Sequence, residues 1–297
     1  MSTPDLAFTS NHQDILKLLD LGIRARYPLI YLVTPEEAPA EELLQFLADS
    51  LNPKRKLLIW DIVSGWSDNG QNKGQLMPAL SRIAAIRNDE PVICVLKDFH
   101  PTLRNPERSD NYPVIRYLKT LARESRYSRK SIILLGQEAV VPSELREEIV
   151  VYDFPLPSIP EIERILTHAI PARQLELSSP AREQLVRACQ GLTRQRIERI
   201  LARALAAKGK VSEGDIDLVL EEKKQYIRQT EILEFYNPSE TLQNVGVENL
   251  KAWIRERRNS FSVQAHAYGL PSPKGILLVG IQGTGKSLCA KTIAREW

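Results

Sequence analysis

The first half of the chain alternates short, almost uninterrupted apolar runs with longer segments of helical periodicity. The apolar runs, which we predict to be β-strands, lie at 29–33, 57–61, 92–96, 132–135 and 149–154. Amphipathic helices are predicted around them at 14–22, 43–51, 76–86 and 114–125. Strands that are apolar on both faces and separated by helices are typical of a parallel sheet covered by helices on both sides. The alternation therefore predicts an α/β domain over residues 1–157.

The pattern changes after Pro155-Leu156-Pro157, where only helical periodicity remains. Helices are predicted at 161–169, 179–189, 194–208 and 215–226, the last after a capping-box-like sequence at 212–215. We interpret residues 158–228 as a small helical bundle, or lid, attached to the sheet domain. A linker at 229–243 follows it, and residues 244–297 form the next predicted unit.

Composition limits the classes of protein that this chain can belong to. Its 297 residues are 43% apolar, which is enough for a sizeable core, and its net charge of +3 gives no signature of nucleic-acid binding. The three cysteines are far apart and fit neither a disulfide framework nor a metal site. Since no apolar run approaches the length of a membrane span, we expect a soluble, cytoplasmic protein.

A glycine-rich segment near the end of the chain carries the best functional signal. Gly280, four residues and then Gly285-Lys286-Ser287 match the phosphate-loop pattern, between an apolar run at 276–279, which we predict to be a strand, and a helical segment. Backbone N–H groups of such a loop surround phosphate oxygens, the lysine reaches the outer phosphates and the serine holds Mg²⁺. The predicted cofactor-binding residues here are Gly280, Ile281, Gln282, Gly283, Thr284, Gly285, Lys286, Ser287 and Leu288, with Ser287 as the metal ligand.

The first domain lacks such a loop after its own first strand. The sequence there is Thr34-Pro35-Glu36-Glu37-Ala38-Pro39, in which prolines and carboxylates replace the glycines and the lysine. Prolines remove N–H donors and carboxylates repel a triphosphate, so we predict that this domain does not bind ATP in the usual way. Asp98 and His100 follow the third strand, and we interpret them as structural or interface residues.

A basic helix in the bundle has two interpretations that the sequence leaves open. Arginines recur on or near the segment 194–208, namely Arg187, Arg194, Arg196, Arg199 and Arg203. They form either a solvated helix face or a surface that contacts a nucleotide phosphate or an acidic partner.

Longer sequence segments resemble a known family. The segments 244–251 and 268–288, together with Thr34-Pro35-Glu36-Glu37 and Lys97-Asp98-Phe99-His100, resemble the AAA-type ATPase-like proteins of cyanobacteria and plastids, a conserved chloroplast reading frame family. The resemblance covers essentially the whole chain. It implies a P-loop NTPase-like (AAA) sheet domain that is degenerate, a helical lid, and the start of a second AAA domain at 244–297.

The resemblance also implies ligands and a function. ATP and Mg would bind the phosphate loop, and Val245 and Gly246 would lie near adenine, although Val247 stands where related domains often have a second glycine. The acidic strand, the arginine finger and the second lid of such a domain are expected after Trp297, so we interpret the chain as a fragment. At full length we expect a homo-oligomer in cytoplasm or plastid stroma that couples ATP hydrolysis to remodelling or regulating a protein partner.

The alternative hypothesis is a non-catalytic protein-binding adaptor whose degenerate first domain is the working part. In that case the partner would bind the loop at Glu36 and Glu37 or the sheet edge at Asp98–His100. The two hypotheses differ in what they require of Lys286, which only the ATPase needs.

Overall fold

The structure is a computed structural model that describes residues 10–229, 248–257, 260, 265, 268–270, 274–281 and 283–296. Its contacts divide the chain into two units, Met1–Glu222 and Lys223–Trp297. The first unit contains an α/β domain followed by a helical bundle, and the second contains the phosphate-loop segment.

Strands and helices alternate along the α/β domain. Its helices are α1 (Ser10–Arg24), α2 (Glu37–Ser50), α3 (Leu76–Ala85), α4 (His100–Arg104) and α5 (Asn111–Ser125). Its strands are β1 (Leu29–Val33), β2 (Lys56–Asp61), β3 (Gly65–Trp66), β4 (Val92–Lys97), β5 (Lys130–Gly136) and β6 (Ile149–Asp153).

The six-stranded sheet has the order β3-β2-β4-β5-β1-β6. All neighbouring strands are parallel except the pair β2 and β3, in which Trp60 faces Trp66. The predicted parallel α/β fold is therefore confirmed. The sequence analysis did not predict the short β3, because two residues carry no periodicity. Gly65 allows the return, since it has a φ of +76° and a Cβ would lie 2.4 Å from the carbonyl oxygen of Gln71.

Each face of the sheet has its own core, as a strand buried on both faces requires. In β1, Leu29 and Tyr31 pack into one core with residues of α3 and α5. Ile30 and Leu32 pack into the other core with residues of α1 and α2. β1, which is buried on both faces, therefore holds the loop at its carboxyl end on a rigid base.

The bundle packs helices around a separate core. Its elements are α6 (Ile159–Ala169), α7 (Ser179–Cys189), α8 (Arg194–Lys208) and α9 (Ile216–Gln229), with a parallel pair of short strands β7 (Leu175–Glu176) and β8 (Val211–Ser212). Leu166, Leu185 and Leu201 are among its buried side chains. The sequence predicted the four helices but not the two-residue strands.

In the second unit, helices α10 (Glu248–Glu256) and α11 (Lys286–Glu296) are present. The predicted strand at 276–279 is wrong for this structure, because residues 274–281 form no regular secondary structure. Leu277 is 88% exposed and Val279 is 85% exposed. A strand needs a neighbour for its hydrogen bonds, and no described residue pairs with this segment.

Most of the predicted linker at 229–243 lies outside the described residues. Among the helices of the described residues, none is long and apolar enough to cross a lipid bilayer.

Candidate functional site

A cavity of about 610 Å³ lies at the carboxyl edge of the first sheet. It lies beside β1. After β1 the chain continues to β2, which lies on one side of β1 in the sheet, whereas β6 lies on the opposite side. Such a point of reversal in strand order is where open α/β sheets bind their ligands. The lining residues come from the β1–α2 loop, the end of β5 and the start of α8: Pro35, Glu36, Glu37, Ala38, Pro39, Glu42, Gln137, Thr193, Arg194, Gln195 and Glu198.

Glu36 is the most buried carboxylate that lines this cavity, with 6% of its surface exposed. Its Oε1 accepts a hydrogen bond from the backbone N–H of Arg194. Burial raises the pKa of Glu36 above its ordinary value, although the Arg194 N–H and the nearby charges of His12 and Arg194 partly oppose that rise. The ionised form is therefore costly here, and a second anion beside it would add repulsion.

Lys97 at the end of β4 neutralises two further carboxylates of the same region. Its ammonium lies 2.5 Å from Glu37 Oε2 and 2.9 Å from Glu41 Oε1. Burial alone would lower the pKa of Lys97, but the hydrogen bonds that its ammonium donates to both carboxylates outweigh burial and raise that pKa. A lysine that could attract phosphate is thus occupied by the protein's own acids.

Asp98 and His100 stand beside this edge rather than in the cavity lining. Asp98 has a φ of +53°, an uncommon conformation for a non-glycine residue. The two ring nitrogens of His100 lie 3.8 Å from Asp98 Oδ1 and 3.8 Å from Glu138 Oε1. Phe99 between them is buried and packs edge-on against Trp60 at 6.0 Å. Their interpretation as structural or interface residues stays a prediction.

The phosphate-loop segment turns sharply before α11. Gly283 and Gly285 have φ values of +87° and +79°, which favour glycine, and a Cβ at either would meet no atom within 4 Å. At Gly280 a Cβ would lie 3.1 Å from Thr284 Oγ1. A side chain at Gly283 or Gly285 would therefore meet open space, whereas one at Gly280 would press against Thr284.

Lys286, the first residue of α11, folds back over this loop. Its ammonium donates hydrogen bonds to the carbonyl oxygens of Gly280 at 2.8 Å and Ile281 at 2.5 Å. The hydroxyl of Thr284 donates to the Ile281 carbonyl at 2.8 Å. Ser287 is exposed on the first turn of the helix. This donor set of a cation, a hydroxyl and a helix N-terminus fits a phosphate group and its Mg²⁺ ion.

Of the predicted binding residues, the structure brings Gly280, Ile281, Thr284 and Lys286 into direct contact. Gly283 and Gly285 form the turn, and Leu288 is half-buried in α11. Val245, Gly246 and Gln282 lie outside the described residues.

The sequence did not single out the residues that face the first cavity from the bundle. Thr193 is the N-cap of α8, and its Oγ1 accepts a hydrogen bond from the N–H of Arg196. Arg194 appeared only as one member of a basic helix. A threonine directly before a helical segment was the available signal, because it marks a helix start whose N–H groups face outward.

Family models match both parts of the first unit. The N-terminal domain of SpoVK-like AAA ATPases matches residues 15–154, and the second domain of the same proteins matches residues 160–230.

Curated relatives extend the similarity along almost the whole chain. The AAA domain-containing protein ycf46 of Trieres chinensis is 40% identical over 94% of this chain, and that of Guillardia theta is 38% identical over 95%. The matches cover 56% and 55% of those proteins. The chain thus spans about half the length of the curated relatives it matches.

Solved structures agree on the fold. The FIGL-1 AAA domain in complex with ADP superposes with a TM-score of 0.52 at 10% identity, covering 85% of this chain and 89% of that chain. A chain of the E. coli MS115-1 HORMA:CdnC:Trip13 complex provides a second comparison, with a TM-score of 0.51 at 14% identity over 73% of this chain and 88% of the matched chain. Sequence and fold together assign the chain to the AAA ATPase family, with domains of the SpoVK-like type and relatives among the ycf46 proteins.

Proposed function

We propose that the segment at 280–288 binds the phosphates of ATP with Mg²⁺, and that the first α/β domain does not bind nucleotide. The observation that supports this proposal is the contrast between the partners of two lysines. Lys286, at the start of a helix, donates hydrogen bonds to neutral carbonyl oxygens of its own loop, whereas Lys97 is paired with two carboxylates.

Each residue of the loop has a role in this proposal. Gly283 and Gly285 let the backbone approach phosphate oxygens, and Lys286 exchanges its contacts with loop carbonyls for phosphate. Ser287 holds Mg²⁺, and Val245 and Gly246 contact adenine. Bound Mg²⁺ would neutralise charge on the phosphate oxygens and polarise the bond that is hydrolysed.

In the longer protein, this nucleotide site drives the remodelling or regulation of a protein partner by a homo-oligomer in plastid stroma or cytoplasm. Two facts support this wider proposal: relatives of nearly twice the length share the sequence, and one fold neighbour was solved in a complex with other proteins. The 297-residue chain would then contain a complete degenerate domain and the nucleotide-binding start of the next one.

The test is titration calorimetry of Mg-ATP into the 297-residue chain and into a version as long as the relatives. We expect weak binding to the short chain and stronger binding with hydrolysis in the long one. Lys286→Ala should weaken binding by about 10- to 100-fold, the range for loss of a hydrogen bond to a charged group.

Lys274→Ala is the matched control, because it removes the same charge from an exposed position before the loop. Its affinity should stay within about twofold of the unmodified chain, which is less than 1 kcal/mol. Equal loss in both variants would show that net charge alone attracts the nucleotide, and that result contradicts the proposal.

The adaptor remains the second candidate function, and the half-exposed Asp98 beside His100 is the feature that favours it. Glu36 is less suited to a partner contact, since it is buried against Arg194. A biological assay of Lys286→Ala separates the candidates. Full activity of that variant favours the adaptor, and loss of activity favours the ATPase.

A further inference from the structure

We propose that Glu36 replaces a bound nucleotide as the link between the first α/β domain and its helical bundle. Its carboxylate contacts the first residue of α8, so the bundle is held against the β1–α2 loop by the protein itself. The orientation of this bundle would then be independent of ATP.

The contact uses the chemistry by which helix N-termini bind anions. The first N–H groups of a helix have no partner within the helix, and negative charge is favourable beside them. In the 15-residue α8, the Arg194 N–H donates to Glu36 and the Arg196 N–H donates to Thr193 Oγ1. A carboxylate of the chain thus takes a position that suits a phosphate oxygen.

Glu36 is held in place from its own side of the cavity as well. Its backbone N–H donates to the hydroxyl of Thr34 at 2.9 Å, and Thr34 is buried. Its carbonyl oxygen accepts from the Ala40 N–H at 3.3 Å, at the start of α2. These bonds attach the acid to the end of β1, a strand that is buried on both faces, so its contact with α8 connects the bundle to a rigid part of the sheet.

Arg194 joins the same two regions a second time through its side chain. Its Nε lies 2.9 Å from Glu198 Oε1 on α8, and Nη1 lies 3.8 Å from Glu42 Oε2 on α2. One residue therefore contacts the β1–α2 region through both its main chain and its guanidinium. A nucleotide phosphate would have to displace Glu36 and approach Glu37 and Glu42 to make equivalent contacts, and those carboxylates would repel it.

Hydrogen exchange at the Arg194 amide, followed by NMR on the full 297-residue chain, tests this role. Three variants are compared with the wild type: Glu36→Ala, Glu36→Gln and Glu42→Ala. Glu36→Ala removes the acceptor, so exchange at Arg194 should accelerate about tenfold or more, as expected for loss of a bond of roughly 1.4 kcal/mol. Glu36→Gln keeps a side-chain oxygen as acceptor, so exchange should stay within about twofold of wild type.

Glu42→Ala is the control for charge: it removes the half-exposed carboxylate that lies 3.8 Å from the Arg194 guanidinium, a weak pair, and leaves Glu36 in place as the acceptor of the Arg194 N–H. It should leave exchange at Arg194 within about twofold of wild type, a local change below 0.5 kcal/mol. Addition of Mg-ATP to the wild type should likewise leave the exchange rate of the Arg194 amide unchanged.

Any of three results would overturn the proposal. The first is an Arg194 amide that exchanges equally fast in wild type and Glu36→Ala. The second is accelerated exchange in Glu36→Gln or Glu42→Ala that matches the alanine variant. The third is protection of Arg194 by Mg-ATP in the wild type, which can be measured even where Glu36→Ala does not fold. The third result leaves the proposed nucleotide site at 280–288 intact, so the two proposals can fail separately.

Discussion

The loop after β1 and the loop at 280–287 each lead from an apolar run into a helix, yet their charges are arranged in opposite ways. In the first, the acids Glu36 and Glu37 are paired with Arg194 and Lys97 from other elements. In the second, Lys286 donates hydrogen bonds to atoms of its own loop, the carbonyl oxygens of Gly280 and Ile281 and the hydroxyl of Thr284. The first loop is therefore closed by contacts within the fold, whereas the second offers a cation that a ligand can take.

This difference shows that the same position in a fold can serve structure or ligand binding, depending on where the compensating charge comes from. A phosphate brings negative charge that the protein must neutralise, and Lys286 can do so. Where the protein supplies its own carboxylates, as in the first loop, its cation and N–H donors are already bound to them. Substitutions in the two regions measure how much their internal contacts stabilise the fold.

The largest expected effect concerns the apolar run that supports the first loop. Leu32 in β1 is fully buried in the core with α1 and α2. Leu32→Ala removes buried methyl groups and leaves a cavity, so we expect a loss of about 3 kcal/mol in the free energy of unfolding. Urea unfolding followed by tryptophan fluorescence measures it, because Trp60 and Trp66 are buried in this domain.

Leu32→Ile is the matched control, since it keeps the number of carbon atoms and should cost less than about 1.5 kcal/mol. If Leu32→Ala and Leu32→Ile lowered the free energy of unfolding by equally small amounts, β1 would not be the rigid base of the first loop.

A smaller effect is expected at a second link between the sheet domain and the bundle. Glu161 on α6 contacts the Nδ1 atom of His12 on α1 and accepts two hydrogen bonds from Ser158, at 2.8 Å from its N–H and 2.7 Å from its hydroxyl. Burial opposes ionisation, but these bonds outweigh it and lower the pKa of Glu161 from 4.5 to about 2.

A folded-state pKa below the ordinary value stabilises the fold above pH 4.5, and that stability is lost as pH falls towards 2. Glu161→Gln should therefore cost about 2 kcal/mol at neutral pH and flatten the acid side of the stability curve. Urea midpoints measured across that pH range check the prediction. A variant with an unchanged acid slope would show that other carboxylates control acid unfolding.

The ion pairs under the first loop should contribute less, since Glu37 and Glu41 are partly exposed. Lys97→Met leaves these two acids without their cation, and we expect a loss of about 1 kcal/mol that shrinks at high salt. Adding Glu37→Gln and Glu41→Gln to Lys97→Met should restore part of the stability, because the repulsion is then removed. A triple variant that is weaker than Lys97→Met alone would contradict this account.

The strands and helices of the first unit were largely predictable, because their periodicity reflects burial on one or two faces. Elements of two residues, such as Gly65–Trp66 and Val211–Ser212, were not, because their pairing depends on distant parts of the chain. The run at 276–279 shows the opposite error. Its composition suits a strand, but a strand also needs neighbours, which local sequence does not specify.

The two candidate sites also differ in how well the sequence predicted them. The candidate phosphate loop is contiguous in sequence, so its spacing alone predicted Gly280, Gly285 and Lys286 as binding residues. The link between Glu36 and Arg194 joins residues that are far apart in the chain. Only the fold brings them together. The sequence therefore predicted that the first domain lacks a phosphate loop, but it did not predict the contact between Glu36 and Arg194.

The smallest effect is expected at Leu277, the counterpart of Leu32 before the second loop. Leu277 is 88% exposed, so Leu277→Ser removes almost no buried surface and should change the stability of the 297-residue chain by less than about 0.5 kcal/mol. The same substitution in a protein as long as the relatives should cost about 2 kcal/mol if further strands cover this run. Paired urea unfolding of both lengths measures the difference. An equally small cost in the long protein would mean that the second loop is supported without a buried strand, and the comparison with β1 would then fail.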